Sequence, residues 1–285
     1  MSADESQRPP VALTIAGFDP SGGAGVIADI KTFTAFGCFA TAAVTSLTFQ
    51  NTLGVFGATH QTAPTVRAQV LPVLEDFSVA CAKTGMLPTR EIIMEVARLF
   101  REAELPAPIV DPVVRSTSGY DLIGDEALDA LVRELMPLAR LLTPNIPEAE
   151  RITGLSIEDE DGMLSAARAL RELGARAVLL KGGHLKASVP GGKPKAESVS
   201  AVDLLLDEEG KVTLFRGEWI ESTSTHGTGC TLAAAIAACT GRGMSLEKSI
   251  EAAKRFVTDA IRRAPRLGNG HGPINHSLKT VMSDE

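Results

Sequence analysis

Val11-Ala12-Leu13-Thr14-Ile15-Ala16 runs directly into Gly17-Phe18-Asp19-Pro20-Ser21-Gly22-Gly23-Ala24-Gly25, and this stretch decides the fold. The first six residues form an unbroken, almost wholly apolar run, which reads as a buried strand. The glycine-rich loop then opens onto residues 26–36, a helical segment that Gly37 closes as its C′ residue. Strand, tight loop and helix in that order form a βα unit, the building block of a parallel sheet.

The alternation continues outward from this unit. Residues 39–49 and 55–59 read as strands around a turn at 51–54, and 65–74 as a helix despite Pro72. Residues 79–84 form a short apolar strand, and Thr89 caps a helix reaching Glu102. Strands are expected at 108–111, 140–143 and 177–181, and helices at 125–135 and 159–173. Residues 202–206 and 212–216 flank Asp207-Glu208-Glu209-Gly210 as a hairpin. Two helices, from about Thr228 and Ser245, end the pattern, while 186–198 reads as a surface loop. The fold class is α/β: a three-layer α/β/α sandwich with a mostly parallel central sheet. No internal repeat or linker divides it, so a single domain is expected over 11–276, with a disordered tail at 1–10 and a C-terminal tail at 277–285. Ligands in such sheets bind beyond the strand carboxyl ends. Gly17, Met86, Asp111, Asn145, Lys181 and the approach to Gly229 all follow strand ends, which points to one active-site edge.

Composition narrows the function. The 285 residues carry a net charge of −7 and only 4% aromatics, so neither a basic patch nor stacking platforms favour nucleic acid. The four cysteines form no Cys-x-x-Cys pair; Cys38, Cys81 and Cys239 read as small buried hydrophobes, and a reducing cytoplasm is expected. The five histidines show no metal-ligand spacing. The polar, acidic start lacks the apolar core of a signal peptide, and no run reaches membrane-spanning length.

The chemistry concentrates in Ser222-Thr223-Ser224-Thr225-His226-Gly227-Thr228-Gly229-Cys230-Thr231-Leu232, where a polar loop enters the apolar run Ala233-Ala234-Ala235-Ile236-Ala237-Ala238. Glycines where a helix begins let an anion reach unpaired amide N–H groups and the positive end of the dipole. Cys230 stands at that terminus, where a lowered thiol pKa is expected. No Walker A pattern and no dinucleotide-binding Gly-x-Gly-x-x-Gly are present. The anion hole therefore falls to residues 227–230, with Gly227, Thr228 and Gly229 supplying backbone and Lys181 supplying positive charge for a transferring phosphoryl group. A lone strand-end lysine is ordinarily just solvated. Asn145 and Glu148, three apart after a strand, suit a magnesium site against phosphates, and equally suit helix capping by Asn145. Asp111, before Pro112, either joins that metal site or serves a turn.

Four separated motifs now fall in register: residues 16–25, Thr143-Pro144-Asn145-Ile146-Pro147-Glu148, Lys181-Gly182-Gly183-His184 and His226-Gly227-Thr228-Gly229-Cys230. From Val11 to about His276 the chain closely resembles the hydroxymethylpyrimidine/phosphomethylpyrimidine kinases of thiamine biosynthesis, members of the ribokinase-like superfamily. The resemblance implies ATP and Mg2+ as cofactors, a small-molecule pyrimidine as substrate, no nucleic-acid or membrane partner, and a homodimer. It implies that Gly17, Asp29 and Met86 line the pyrimidine pocket and that Gln50 faces the aminopyrimidine edge, where a carboxamide can both donate and accept. Some relatives carry glutamate there. The chain departs from the pattern at Thr117, where lysine is common.

Two transfers from ATP are implied, first to the hydroxymethyl oxygen and then to the monophosphate. Sugar kinases of the superfamily place an aspartate base where Cys230 stands. A phosphate nucleophile, with a second pKa of about 6, needs no base and would be repelled by a carboxylate. A thiol avoids that repulsion, and as a thiolate could accept the alcohol proton. Three alternatives stay open at this point: a pyridoxal kinase, a non-catalytic binding protein that kept the fold, and a sugar kinase, the last weakened by the missing aspartate.

Overall fold

The computed structural model describes residues 8–115, 119, 121–183 and 200–278. Thr117, His184 and the loop expected at 186–198 lie outside the described residues, as do the ends of both expected tails. The elements run β1 (Val11–Phe18), α1 (Gly25–Ala35), β2 (Phe39–Asn51), β3 (Gly54–His60), α2 (Ala63–Asp76), β4 (Val79–Thr84), α3 (Arg90–Glu102), β5 (Ile109–Val110), α4 (Asp125–Ala130), β6 (Leu141–Leu142), α5 (Ile146–Thr153), α6 (Glu160–Glu172), β7 (Val178–Lys181), β8 (Ser200–Leu206), β9 (Val212–Glu218), α7 (Thr228–Gly241) and α8 (Leu246–Arg262).

The strands form one sheet in the order β3-β2-β1-β4-β5-β6-β7-β8-β9. The run from β2 to β7 is parallel, and β3, β8 and β9 join antiparallel at its edges. The expected three-layer, mostly parallel α/β/α architecture is thus observed. Alternation along each strand feeds two cores. Leu13, Ile15, Val178, Leu180, Leu204 and Leu206 face the layer of α2 to α6. Ala12, Leu179 and Leu205 face α1, α7 and α8.

Helix α7 is the exception to amphipathic patterning. Nine consecutive residues from Thr231 to Cys239 are buried, because α1, α8 and the sheet enclose it. A helix apolar all round must be a central one, and this placement carries its N-terminus to the carboxyl edge of the sheet. One helix went unassigned from sequence: α5 starts at Ile146, separated from β6 by three residues, the last of them its N-cap Asn145, and is only eight residues long. Helix α4 continues past Ala130 through a wider turn at Leu131–Leu135 before Pro137.

The chain leaves β1 for β2 on one side and later returns to β4 on the other. This reversal opens a crevice between the ends of β1 and β4, the switch point where ligands bind in such sheets. Behind the crevice lies a buried ion pair. Lys83 of β4 donates from Nζ to both carboxylate oxygens of Asp29 on α1, at 3.0 and 2.8 Å, and the Thr14 hydroxyl donates to Oδ2 at 2.6 Å. Both side chains are 0% exposed. Burial pushes the Asp29 carboxyl up and would lower the Lys83 ammonium, but Asp29, Cys230 and Asp111 together outweigh burial for Lys83 and raise it. Three donor contacts on one carboxylate are the geometry of an ion pair. Removing one partner of such a pair costs about 3–5 kcal/mol, whereas replacing both with apolar groups is often neutral. Lys83→Met should therefore lower the free energy of unfolding in urea by roughly that amount, and Lys83→Met with Asp29→Leu should regain most of it.

Candidate active site

Gly227 caps α7 with φ of 83° and no side-chain capping bond. An added Cβ there would overlap the Gly23 carbonyl oxygen, so the position is restricted to glycine by both conformation and space. Thr228, Gly229 and Cys230 form the first turn of α7 and line the cleft; amides at a helix start have no partners within the helix. A Cβ on Gly229 would lie 3.3 Å from Lys181 Nζ and 3.7 Å from Asp111 Oδ2. Lys181 and Asp111 therefore stand directly over this terminus.

Lys181, at the end of β7, is not a solvated lysine. Its Nζ donates to Asp111 Oδ1 at 3.0 Å, and the Thr143 hydroxyl donates to the same oxygen at 3.4 Å. Burial would lower the ammonium, but Asp111 and then Glu148 outweigh it and raise it. Asp111 thus holds the Lys181 ammonium beside the start of α7, and a positive charge so placed can stabilise a transferring phosphoryl group.

Asn145 and Glu148 form a reciprocal capping box on α5. The Glu148 N–H donates to Asn145 Oδ1 and the Asn145 N–H donates to Glu148 Oε2, both at 2.8 Å. The capping alternative is thus realised, and Asn145 does not offer its side-chain oxygen freely. Glu148 is buried, and burial pushes its carboxyl up to about 7, with Lys181 opposing and Asp111 adding to the rise. Among the described residues no three His, Cys, Asp or Glu side chains cluster closely enough to hold a metal ion. Mg2+ in phosphoryl-transfer sites usually takes only one or two carboxylates and completes its shell with water and phosphate. Asp111 and Glu148, both on the cleft wall, meet that lesser requirement.

Cys230 corrects the sequence expectation. Burial pushes its thiol up to about 11; Lys83 and the Gly25 N–H pull the other way, while Asp111 and Asp29 add to the rise. A helix N-terminus lowers a thiol pKa only if desolvation does not exceed it. The enclosure of Cys230 therefore favours the neutral thiol at neutral pH.

At the other side of the crevice, Met86 packs over Gly17, its Sδ 3.1 Å from where a Gly17 Cβ would be. Strand β2 fixes both loops: the Thr48 hydroxyl donates to Phe18 O at 2.8 Å and the Thr45 hydroxyl to Met86 O at 2.7 Å. A register shift between Phe49 and Gln50 interrupts the β2–β3 ladder, and such bulges re-aim side chains beside sites. Gln50 lies on the cleft wall just beyond it. Asp29 does not. Its carboxylate is enclosed beneath the wall by Lys83 and Thr14, so it cannot line the pocket as the resemblance implied.

One cleft of about 780 Å³ brings together Gly17, Gln50, Met86, Asp111, Asn145, Glu148, Lys181, Gly227, Thr228, Gly229 and Cys230. Its far end is lined by Trp219, Ile220, Val257 and Ile261 and by Lys254, which donates to Asp203 Oδ2. Sequence reading missed this end, although Asp203 inside the apolar run of β8 was a usable signal. Lys83 inside the apolar run of β4 was another. Asp19 and His226, also on the cleft wall, were quoted within motifs but given no role.

The sequence pattern of the family described as phosphomethylpyrimidine kinase matches residues 19–275. The chain is 46% identical to the thiamine biosynthesis bifunctional protein ThiED of Geobacter sulfurreducens over 93% of its own length, and spans about half (52%) of that longer protein. It is 41% identical to the hydroxymethylpyrimidine/phosphomethylpyrimidine kinase of Haemophilus influenzae, covering 93% of this chain and 95% of that one. Among solved structures, the ADP complex of Bacillus subtilis pyridoxal kinase superposes with a TM-score of 0.82 at 35% identity, covering 94% and 98% of the two chains.

The Cys230 thiol offers a direct check on the electrostatics. Its alkylation by iodoacetamide, followed by peptide mass mapping, should accelerate about tenfold per pH unit from pH 7 to 10 without levelling. A plateau reached below pH 8 would mean a thiolate at neutral pH.

Proposed function

We infer the reaction from one premise: the chain belongs to the phosphomethylpyrimidine kinase family. It is an ATP-dependent kinase that phosphorylates 4-amino-5-hydroxymethyl-2-methylpyrimidine and then its monophosphate, giving the diphosphate used in thiamine biosynthesis. The observation that carries the reading is the single cleft whose wall joins the start of α7 and the half-buried Lys181 to Gly17, Gln50 and Met86.

The geometry supports the following roles. Gln50 presents a donor and an acceptor to the aminopyrimidine, and Met86 over Gly17 shapes its floor. The apolar end at Trp219, Ile220, Val257 and Ile261 receives the nucleotide base. Amides of Gly227, Thr228 and Gly229, with Lys181, hold the charge that develops on the phosphoryl group. Phosphoryl transfer through a loose transition state depends on positioning and charge stabilisation far more than on early proton removal. Asp111 and Glu148 would hold Mg2+ through water, where it would neutralise charge on the ATP phosphates. Cys230, neutral at pH 7, places no negative charge beside the acceptor, so an alcohol and a phosphate can use the same position.

The same reading takes in a single kinase domain over 11–276, a cytoplasmic location, and no nucleic-acid or membrane partner. It includes a homodimer, supported by the exposed apolar residues Phe39, Leu47, Phe49 and Phe56 on β2 and β3. No helix among the described residues is long and apolar enough to cross a membrane.

Likeness to a pyridoxal kinase structure keeps that substrate in the test. Purified protein with MgATP should convert the pyrimidine monophosphate to the diphosphate by mass-resolved assay; turnover of pyridoxal alone would overturn the assignment. Cys230→Asp should slow the second phosphorylation at least about tenfold more than the first, because like-charge repulsion within about 4 Å amounts to a few kcal/mol. Equal losses in both steps would remove the proposed role of the thiol.

A further inference from the structure

Two polar partners on the cleft wall have no part in the transfer as described. Asp19 follows β1 and His226 precedes α7, 207 residues apart, and they meet at 2.8 Å between Oδ2 and Nε2. Asp19 is 1% exposed and saturated with donors. Its Oδ1 accepts from the Ser21 N–H at 2.8 Å and the Ser21 hydroxyl at 2.7 Å. Its Oδ2 accepts from the Gly23 N–H at 3.2 Å and the Ala24 N–H at 2.9 Å, besides His226. Burial would raise this carboxyl, but His226 and Ser21 outweigh it and hold it below its ordinary value. An ionised carboxylate only accepts, so the Nε2 of His226 must carry the proton.

The ring fits closely as well. A Cβ on Gly23 would collide with His226 Cδ2, and the His226 N–H donates to Gly272 O at 3.1 Å. The side chain is thereby fixed from both ends while its backbone leads straight into Gly227 and the first-turn amides of α7. The Asp19 loop, in turn, leads from Gly17 on the acceptor side. The contact therefore joins the part of the cleft that holds the acceptor to the part that holds the transferring phosphoryl group.

We propose that His226, donating from Nε2 to Asp19, is a positioning residue that sets the distance between the acceptor pocket and the phosphoryl-binding amides. It touches neither reacting atom. This rests on the kinase reading above. Loss of the contact lets the two loops drift, and a misplacement of about 1 Å between reacting groups can cost about 100-fold in rate. Each half-site keeps its own contacts, so binding of each ligand alone changes little.

Two measurements test this on the full chain. In steady-state kinetics with the hydroxymethylpyrimidine and MgATP, His226→Ala should lower kcat by roughly 10- to 100-fold, with both KM values within about threefold of the starting enzyme. The fraction of ATP hydrolysed without product should rise. His226→Gln, whose side-chain amide reaches a similar point and donates, should restore most of kcat. A kcat within twofold in His226→Ala, or a parallel loss of kcat and thermal stability that Gln does not restore, overturns the proposal. Independently of turnover, imidazole 15N NMR of the unmodified protein should show His226 with its proton on Nε2, and an Nδ1–H tautomer overturns the contact. Lack of turnover by the unmodified protein would count against the kinase reading, while the NMR result still decides the contact.

Discussion

Gly227 lies with φ of 83° against the Gly23 carbonyl, and no side chain fits between the two backbones. A second contact of the same kind lies beside it, where Gly25, also at positive φ, sits against the Gly17 carbonyl. Together they stack three stretches of main chain: the end of β1, the loop after it and the start of α7. The amides that begin α7 owe their place to this stack. So does the distance between those amides and Met86, which packs over Gly17. Glycine is required at these points because both space and conformation exclude a Cβ.

Charge follows a related logic of enclosure. Three lysines close to the cleft are each held by one aspartate: Lys83 by Asp29, Lys181 by Asp111 and Lys254 by Asp203. The exposed ion pairs elsewhere, such as Arg133 with Asp129, carry little weight in water. Around Lys83 and Lys181 the neighbouring negative groups together outweigh the burial that would lower the ammonium. The two lysines differ in depth. Lys83 is sealed behind the wall, whereas Lys181 reaches the cleft.

The layer order was legible from the sequence because buried parallel strands leave short apolar runs between helices, and β1, β4 and β7 do so plainly. Strands β5 and β6 are two residues each, and the run of apolar neighbours around them still marked their place. Helix α5 was not legible as an element, since two prolines and a polar start masked its eight residues. Much of the site could also be read, because glycines and polar groups at strand ends have few other uses. Three matters could not. The burial of Asp29 depends on Lys83, 54 residues away. The thiol of Cys230 is governed by desolvation, which helix position does not reveal. The direction of Gln50 depends on a bulge that local sequence does not announce.

The contact between Asp19 and His226 has a further consequence in time. Four of the five donors to the Asp19 carboxylate come from within five residues, so the first loop can take shape from its own neighbours. The fifth donor is synthesised 207 residues later. At about 5–20 residues per second, a ribosome needs roughly 10–40 s to reach it. Most of the first loop's contacts are thus available early in synthesis, and the turn at Gly227 is set against it only when it emerges.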